Sequence, residues 1–167
     1  MPSSVLLEEF CPLGPVTGCH EIRVRRSQAV FALWEAWEQE AGRLCPVPFW
    51  AVVWPAAQVL ARFILDQPDI VRGKEVIEVG CGGAVASIAA CKAGARTVTA
   101  NDVDPVALEI ACQNAAHNRV YMQFDSENHI ETGRLGRLNW YFALIFFIQR
   151  KTPLLLRVCL KNAGTAP

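Results

Sequence analysis

The sequence carries no excess charge, since 16 Lys and Arg balance 16 Asp and Glu. A general electrostatic grip on nucleic acid or acidic lipid is therefore not expected. Long hydrophobic runs are also missing. The longest, residues 140–148, has nine residues, against the roughly 18–20 that a bilayer-spanning helix needs, so no membrane partner is expected. Histidine is scarce, with only His20, His117 and His129. Cys11, Cys19, Cys45, Cys81, Cys91, Cys112 and Cys159 are scattered, and none forms a CxxC pair. That excludes the tight ligand knuckles of a structural zinc site, and no metal is expected. Scattered thiols of this kind read as small buried apolar residues in a reducing compartment. The start of the chain lacks the charged-then-apolar order of a signal peptide. Glu8, Glu9 and Glu21 also spoil a transit segment, so these residues encode no visible address.

What is present is apolar material. Hydrophobic residues make up 52% of 167 positions, enough for one domain with a real core. Residues 1–20 are punctuated by Pro12, Gly14, Pro15 and Gly18 and read as irregular. Residues 21–25 alternate and read as a short strand. Ser27 is placed to cap a helix running to Ala41, with Phe31, Leu33, Trp34 and Trp37 packing and Gly42 ending it. Pro46 and Pro48 stiffen the lead into Trp54-Pro55, where proline suits the first turn of a helix. There Val59, Leu60, Phe63 and Ile64 form the expected apolar stripe.

The centre of the chain is more regular. Residues 75–79 (EVIEV) read as a strand, followed by the tight turn Gly80-Cys81-Gly82-Gly83. A small-residue helix runs from Ala84 to Ala93 and Gly94 ends it. A second strand follows at 97–100, then the polar turn Asn101-Asp102-Val103-Asp104, and Pro105 opens a helix through Ala116. Strand, glycine turn, helix, strand, acidic turn, helix is the start of an open, mostly parallel α/β sheet of Rossmann-like type. The crossover rule puts both strand ends on one edge of that sheet.

Those two ends carry the chemistry. Gly80 and Gly82 let backbone approach a ligand closely, because no β-carbon intervenes. Asp102 ends the second strand 22 residues after Gly80. A carboxylate there can accept hydrogen bonds from both hydroxyls of an adenosine ribose. A dinucleotide turn needs a third glycine three after Gly82, where Val85 stands, and a P-loop needs Lys-Ser/Thr, where Ala84-Val85 follows. Glu78, just before the turn, adds a negative charge that repels phosphate. S-adenosylmethionine, which carries no phosphate and has a sulfonium suited to aromatic faces, is the candidate left.

The string Val76-Ile77-Glu78-Val79-Gly80-Cys81-Gly82 resembles the E/D-x-G-x-G motif of seven-strand class I methyltransferases. Pro48-Phe49-Trp50-Ala51, Trp54-Pro55, Gln58, Leu60-Ala61-Arg62, Leu65-Asp66, Pro68 and Val71-Arg72-Gly73-Lys74 are more specific. Together with Ala100-Asn101-Asp102-Val103-Asp104-Pro105, they resemble the electron transfer flavoprotein β-subunit lysine methyltransferase family, with bacterial ribosomal-protein methyltransferases as similar relatives. The resemblance implies a class I methyltransferase fold and S-adenosylmethionine as cofactor. It also implies a lysine of the flavoprotein β subunit as substrate and a mitochondrial matrix location, with the cytoplasm as the alternative because no transit segment is visible. It places cofactor contacts at Glu78, Gly80, Cys81 and Gly82, ribose contacts at Asp102, and Trp54 near the cofactor's amino-acid end. It names no catalytic residue. Ala84 stands where the family's third motif glycine is usual.

The sequence divides into an N-terminal extension (1–47), a nucleoside-binding half (48–120) and a divergent tail (121–167). After Val120 the family pattern stops, and its string Gly/Ala-Asp-hydrophobic-Phe-Tyr is not found. Codons for residues 139–150 read one frame over can spell Glu-Leu-Val-Leu-Cys-Ala-Asp-Ile-Phe-Tyr-Thr-Glu, which contains it. The tail therefore reads as out of frame, and weak cofactor binding with little or no methyl transfer is expected. Residues 141–148 could supply a substitute strand or helix. The alternatives are a methyltransferase of another protein, such as a ribosomal one, and a non-catalytic interaction isoform.

Overall fold

The computed structural model describes residues 1–132 and the backbone of 141–145 and 157–158. Its centre is the sheet foreseen from the glycine turn. Strand β3 (Glu75–Val79) pairs in parallel with β4 (Thr97–Asn101), and β4 pairs in parallel with β5 (Gln123–Asp125). On the other side of β3 lies β6 (Tyr141–Ile145), also parallel, with β7 (Arg157–Val158) antiparallel beyond it. The order is β5-β4-β3-β6-β7. The chain thus moves outward on one side of β3 and returns on the other. That reversal is the topological switch point at which open α/β sheets bind ligands. The α/β class and the Rossmann-like parallel sheet read from the sequence are what the structure shows. Cys159 and residues 146–148 lie outside the described residues.

The crossovers form for local reasons. Helix α4 (Val85–Lys92) is buried from Val85 to Ala90, so small residues cover it on every side. Gly94, at φ 87°, ends it as expected. Helix α5 (Pro105–His117) starts with Pro105 in its first turn, and Asp104 caps it by accepting the Val106 N–H at 2.9 Å. Helix α3 (Pro55–Asp66) packs on α4. The stripe that it buries is Ala57, Leu60, Ala61 and Ile64, while Val59 stays 71% exposed. This corrects the expected stripe. The two alanines let α3 approach the small residues of α4 closely, so packing selects size rather than hydrophobicity at those positions.

The first 47 residues are more ordered than their prolines suggested. They form helix α1 (Ser4–Phe10), the hairpin β1 (Leu13–Val16) and β2 (Cys19–Arg25), and helix α2 (Val30–Ala41). Ser3 caps α1 by accepting the Leu6 N–H. Ser27 does not cap α2: its hydroxyl accepts the Ala29 N–H, and the helix starts at Val30 with no side-chain cap. Gly42, left-handed at φ 63°, ends α2 as read. Val16, Cys19, Ile22 and Val24 of the hairpin share one buried cluster with α3, α4 and β3. Of α2's apolar residues, Leu33 and Trp37 are buried and Phe31 is 76% exposed. Trp37 meets Trp50 edge-on at 6.4 Å between centroids. All six described cysteines are free thiols, four of them buried.

The rotated stripe gives a direct test. Ile64→Ala should cost about 2–5 kcal/mol in urea unfolding, as a buried large-to-small change. Val59→Ala should stay within about 0.5 kcal/mol. Equal losses at both sites would contradict the packing described.

Candidate active site

The carboxyl ends of β3 and β4 open into a cleft of about 410 Å³. Gly80, Cys81, Gly82 and Gly83 form its floor on one side, and Asn101, Asp102, Val103 and Asp104 form the other. The segment after Pro48 makes the third wall. A single 3₁₀ turn, Phe49–Ala51, carries Trp50 over the glycine turn, and Phe49 and Trp54 stand together at its rim, 6.2 Å between centroids. The Trp54 Nε1–H donates to the Phe49 carbonyl at 3.1 Å, which fixes the rim.

The glycine turn is held from both strands. The Cys81 N–H donates to Asn101 O at 2.9 Å, and the Gly82 N–H donates to Asp102 Oδ2 at 2.9 Å. The second Asp102 oxygen accepts the Asp104 N–H at 3.0 Å. Burial raises the Asp102 carboxyl above its ordinary value, and these backbone donors oppose that rise. A carboxylate has about four acceptor sites, which the backbone donors of Gly82, Val103 and Asp104 do not exhaust, so Asp102 retains acceptor capacity toward a ligand. Gly80 and Gly82 sit at φ 70° and 50°, and Trp50 Cα lies 3.7 Å from where a Gly82 β-carbon would stand. Ala84 is also left-handed, at φ 60° and ψ 36°, and fully buried. Alanine thus adopts the glycine conformation at a cost of about 1–2 kcal/mol.

Glu78 is the sequence-predicted residue that the structure moves. It does not line the cleft. Its side chain is 1% exposed, and its Oε2 accepts the Ser87 N–H at 2.7 Å and the Ser87 hydroxyl at 2.6 Å. It therefore fastens β3 to the first turn of α4, behind the glycine turn. Its Oε1 is buried with no hydrogen-bond partner among the described residues. Burial pushes its pKa up to about 7 from 4.5, and the Asp102 charge adds to the rise. Gly80, Gly82, Cys81, Asp102 and Trp54 do line the cleft. Burial holds the Cys81 thiol well above its ordinary range, so it stays a neutral thiol.

Sequence reasoning missed Asn101, Asn128 and His129. Asn101 Nδ2 donates to the carbonyls of Asp125 and Glu127, and so draws the β5 loop to the cleft. His129 lines the cleft and pairs through Nε2 with Asp125 Oδ2 at 2.5 Å. Asp125, Glu127 and His129 bring ligand atoms within 4.8 Å of one another. The polar run Asp125-Ser126-Glu127-Asn128-His129 after a short strand was the available signal.

Residues 59–136 match the family model described as Ribosomal protein L11 methyltransferase (PrmA). The similarity is to methyltransferases. The electron transfer flavoprotein beta subunit lysine methyltransferase of Xenopus laevis is 49% identical over 89 residues, 52% of this chain and 36% of that protein. The human protein of the same name is 45% identical over 73 residues, 44% of this chain and 28% of its own length. A solved structure of ribosomal protein L11 methylase from Lactobacillus delbrueckii subsp. bulgaricus aligns at 25% identity and TM-score 0.46. That alignment covers 56% of this chain and 48% of the other. The chain thus spans about a third or less of the length of the curated relatives it matches. The resemblance read from the glycine turn and the Pro48 segment is borne out by these matches.

Two measurements test this geometry. Ala84→Gly relieves the left-handed alanine, while glycine's added unfolded-state freedom returns about 0.4–1 kcal/mol. The buried Ala84 methyl is lost as well, at about 0.8 kcal/mol, so a net change within about 0.8 kcal/mol in unfolding free energy is expected, and a loss of about 1.5 kcal/mol or more would contradict the strain. Glu78 sets a pH dependence. The folded state binds its proton more tightly than the unfolded chain, so its stabilising contribution is full below 4.5 and is lost as pH rises to about 7. Glu78→Gln should remove a fall on the order of 3 kcal/mol between pH 5 and pH 7.5. An unchanged slope in the variant would refute the assignment.

Proposed function

We propose that this cleft binds S-adenosylmethionine, and that the chain carries the cofactor half of a protein-lysine methyltransferase acting on the electron transfer flavoprotein β subunit. The observation that carries the reading is electrostatic. Asp102 and Asp104 line the cleft, and buried Glu78 lies behind it within range of Asp102. Among the described residues, no Lys or Arg lines the cleft. A phosphate-bearing nucleotide would meet these acids with only His129 opposite them, and that ring is already paired with Asp125, whereas a nucleoside bearing cations offsets them. The aromatic rim of Phe49 and Trp54 and the buried Trp50 add faces suited to a sulfonium.

When bound, S-adenosylmethionine supplies an electrophilic methyl on sulfur. The chain's own residues bind and orient. Gly80 to Gly83 admit the ligand against bare backbone, and Asp102 offers its remaining lone pairs to ribose hydroxyls. Phe49, Trp50 and Trp54 exclude water from one side. A lysine amine must arrive neutral and in line, so alignment supplies most of the rate, and burial of the amine lowers its pKa. Such a transfer needs no general base from the protein.

We further propose that transfer by this chain is weak. The string expected to shape the substrate side is not in the sequence after Val120. The mitochondrial matrix location implied by the resemblance belongs to the same proposal. The test uses tritiated S-adenosylmethionine with the flavoprotein β subunit and ribosomal protein L11 as paired substrates. The expected result is slow labelling of the flavoprotein β subunit only, lost at least tenfold further in Asp102→Ala. Faster labelling of the ribosomal protein would replace the substrate proposed, and labelling insensitive to Asp102 would refute the site.

A further inference from the structure

Among the described residues, strand β2 pairs with β1 on one edge and with no strand on the other. Its other edge presents the N–H groups of Arg23 and Arg25, which an exposed edge would leave open. Helix α5 covers them with two asparagines. Asn118 Oδ1 accepts the Arg23 N–H at 3.0 Å, and Asn114 Oδ1 accepts the Arg25 N–H at 2.8 Å. The spacing matches: two strand residues advance about 6.8 Å, and four helix residues about 6.0 Å. Each amide then has a nitrogen to spend. Asn118 Nδ2 turns back to Arg23 O at 2.5 Å and to Asn114 O at 2.7 Å, and stays within this contact. Asn114 Nδ2 leaves it and donates to Gly83 O at 3.0 Å. The same nitrogen lies 3.4 Å from the place of a Gly83 β-carbon, so it packs on the glycine turn as well as bonding to it. Asn114 is fully buried.

We propose that Asn114 is a positioning residue of the cleft: one side-chain amide locks the Gly80–Gly83 turn to the N-terminal hairpin, so the hairpin helps set cofactor affinity. This rests on the reading of the cleft as an S-adenosylmethionine site. The Asp102 carboxylate holds the turn from one side through Gly82, and Asn114 holds it from the other through Gly83. Without Asn114, the Gly83 carbonyl loses its donor in a partly buried position and the turn can swing.

The matched pair Asn114→Asp and Asn118→Asp tests it. Each aspartate keeps an acceptor for the β2 N–H and places an oxygen against the carbonyl its nitrogen had served. S-adenosylhomocysteine affinity is measured by calorimetry, melting temperature by circular dichroism, and amide exchange by mass spectrometry on peptides covering 80–84. Both variants should melt at lower temperature. Only Asn114→Asp should weaken binding, by about tenfold or more, and speed exchange at 80–84. Affinity within twofold of the parent chain in Asn114→Asp, or an equal loss in Asn118→Asp, overturns the proposal. If Asn114→Asp does not fold, the uncharged Asn114→Ser is read in the same way. If the parent chain binds no S-adenosylhomocysteine, the cofactor reading fails. Exchange at 80–84 then still decides whether Asn114 holds the turn.

Discussion

The cleft depends on the bond between the Gly82 N–H and the Asp102 carboxylate. It joins the ends of two parallel strands at the point where strand order reverses, and it spends only part of the carboxylate's capacity. A glycine turn alone is free to take several shapes. With its second N–H pinned to the neighbouring strand, the turn has one shape, and the backbone presents a surface that no side chain covers. The Cys81 N–H to Asn101 O bond, the Trp50 wall and the Asn114 amide all act on the same four residues. The site is therefore a small loop clamped by elements from three parts of the chain.

Charge decides what such a loop can hold. Loops of similar outline bind phosphates when lysine or a helix N-terminus faces them. Here the Ser87 N–H in the first turn of α4 is already taken by Glu78, and the acids Asp102 and Asp104 line the cleft. Burying Glu78 with one oxygen unpartnered costs stability at neutral pH, and a cationic ligand recovers part of it. Glu78 thus couples fold stability to the charge of the cleft that Asp102 and Asp104 line, without lining it itself.

Much of this was legible in the sequence, and the exceptions have physical reasons. Gly80, Gly82 and Asp102 were readable because their roles are local: a turn without β-carbons and an acid at a strand end. The inward aim of Glu78 was not, because β3 is covered on both faces. A glutamate on a buried strand can face a ligand or a helix, and only the position of Ser87 settles which. The α3 stripe was misread because Val59 and Phe63 are more hydrophobic than Ala57 and Ala61, while the contact with α4 demands small residues. The N-terminal elements were hidden by prolines that stand at strand edges and turns. Asn114 and Asn118 read as ordinary polar helix residues, since their partners lie some 90 positions away. Similarity to methyltransferases covers the part in which the local signals were strongest, residues 59–136.

The central claim is that this loop selects a phosphate-free, cationic nucleoside. Calorimetric titration of the intact chain at pH 7.5 with S-adenosylmethionine and, in parallel, with adenosine diphosphate tests it most directly. Saturable binding of the first and none of the second is expected. Binding of the diphosphate with equal or greater affinity would contradict it.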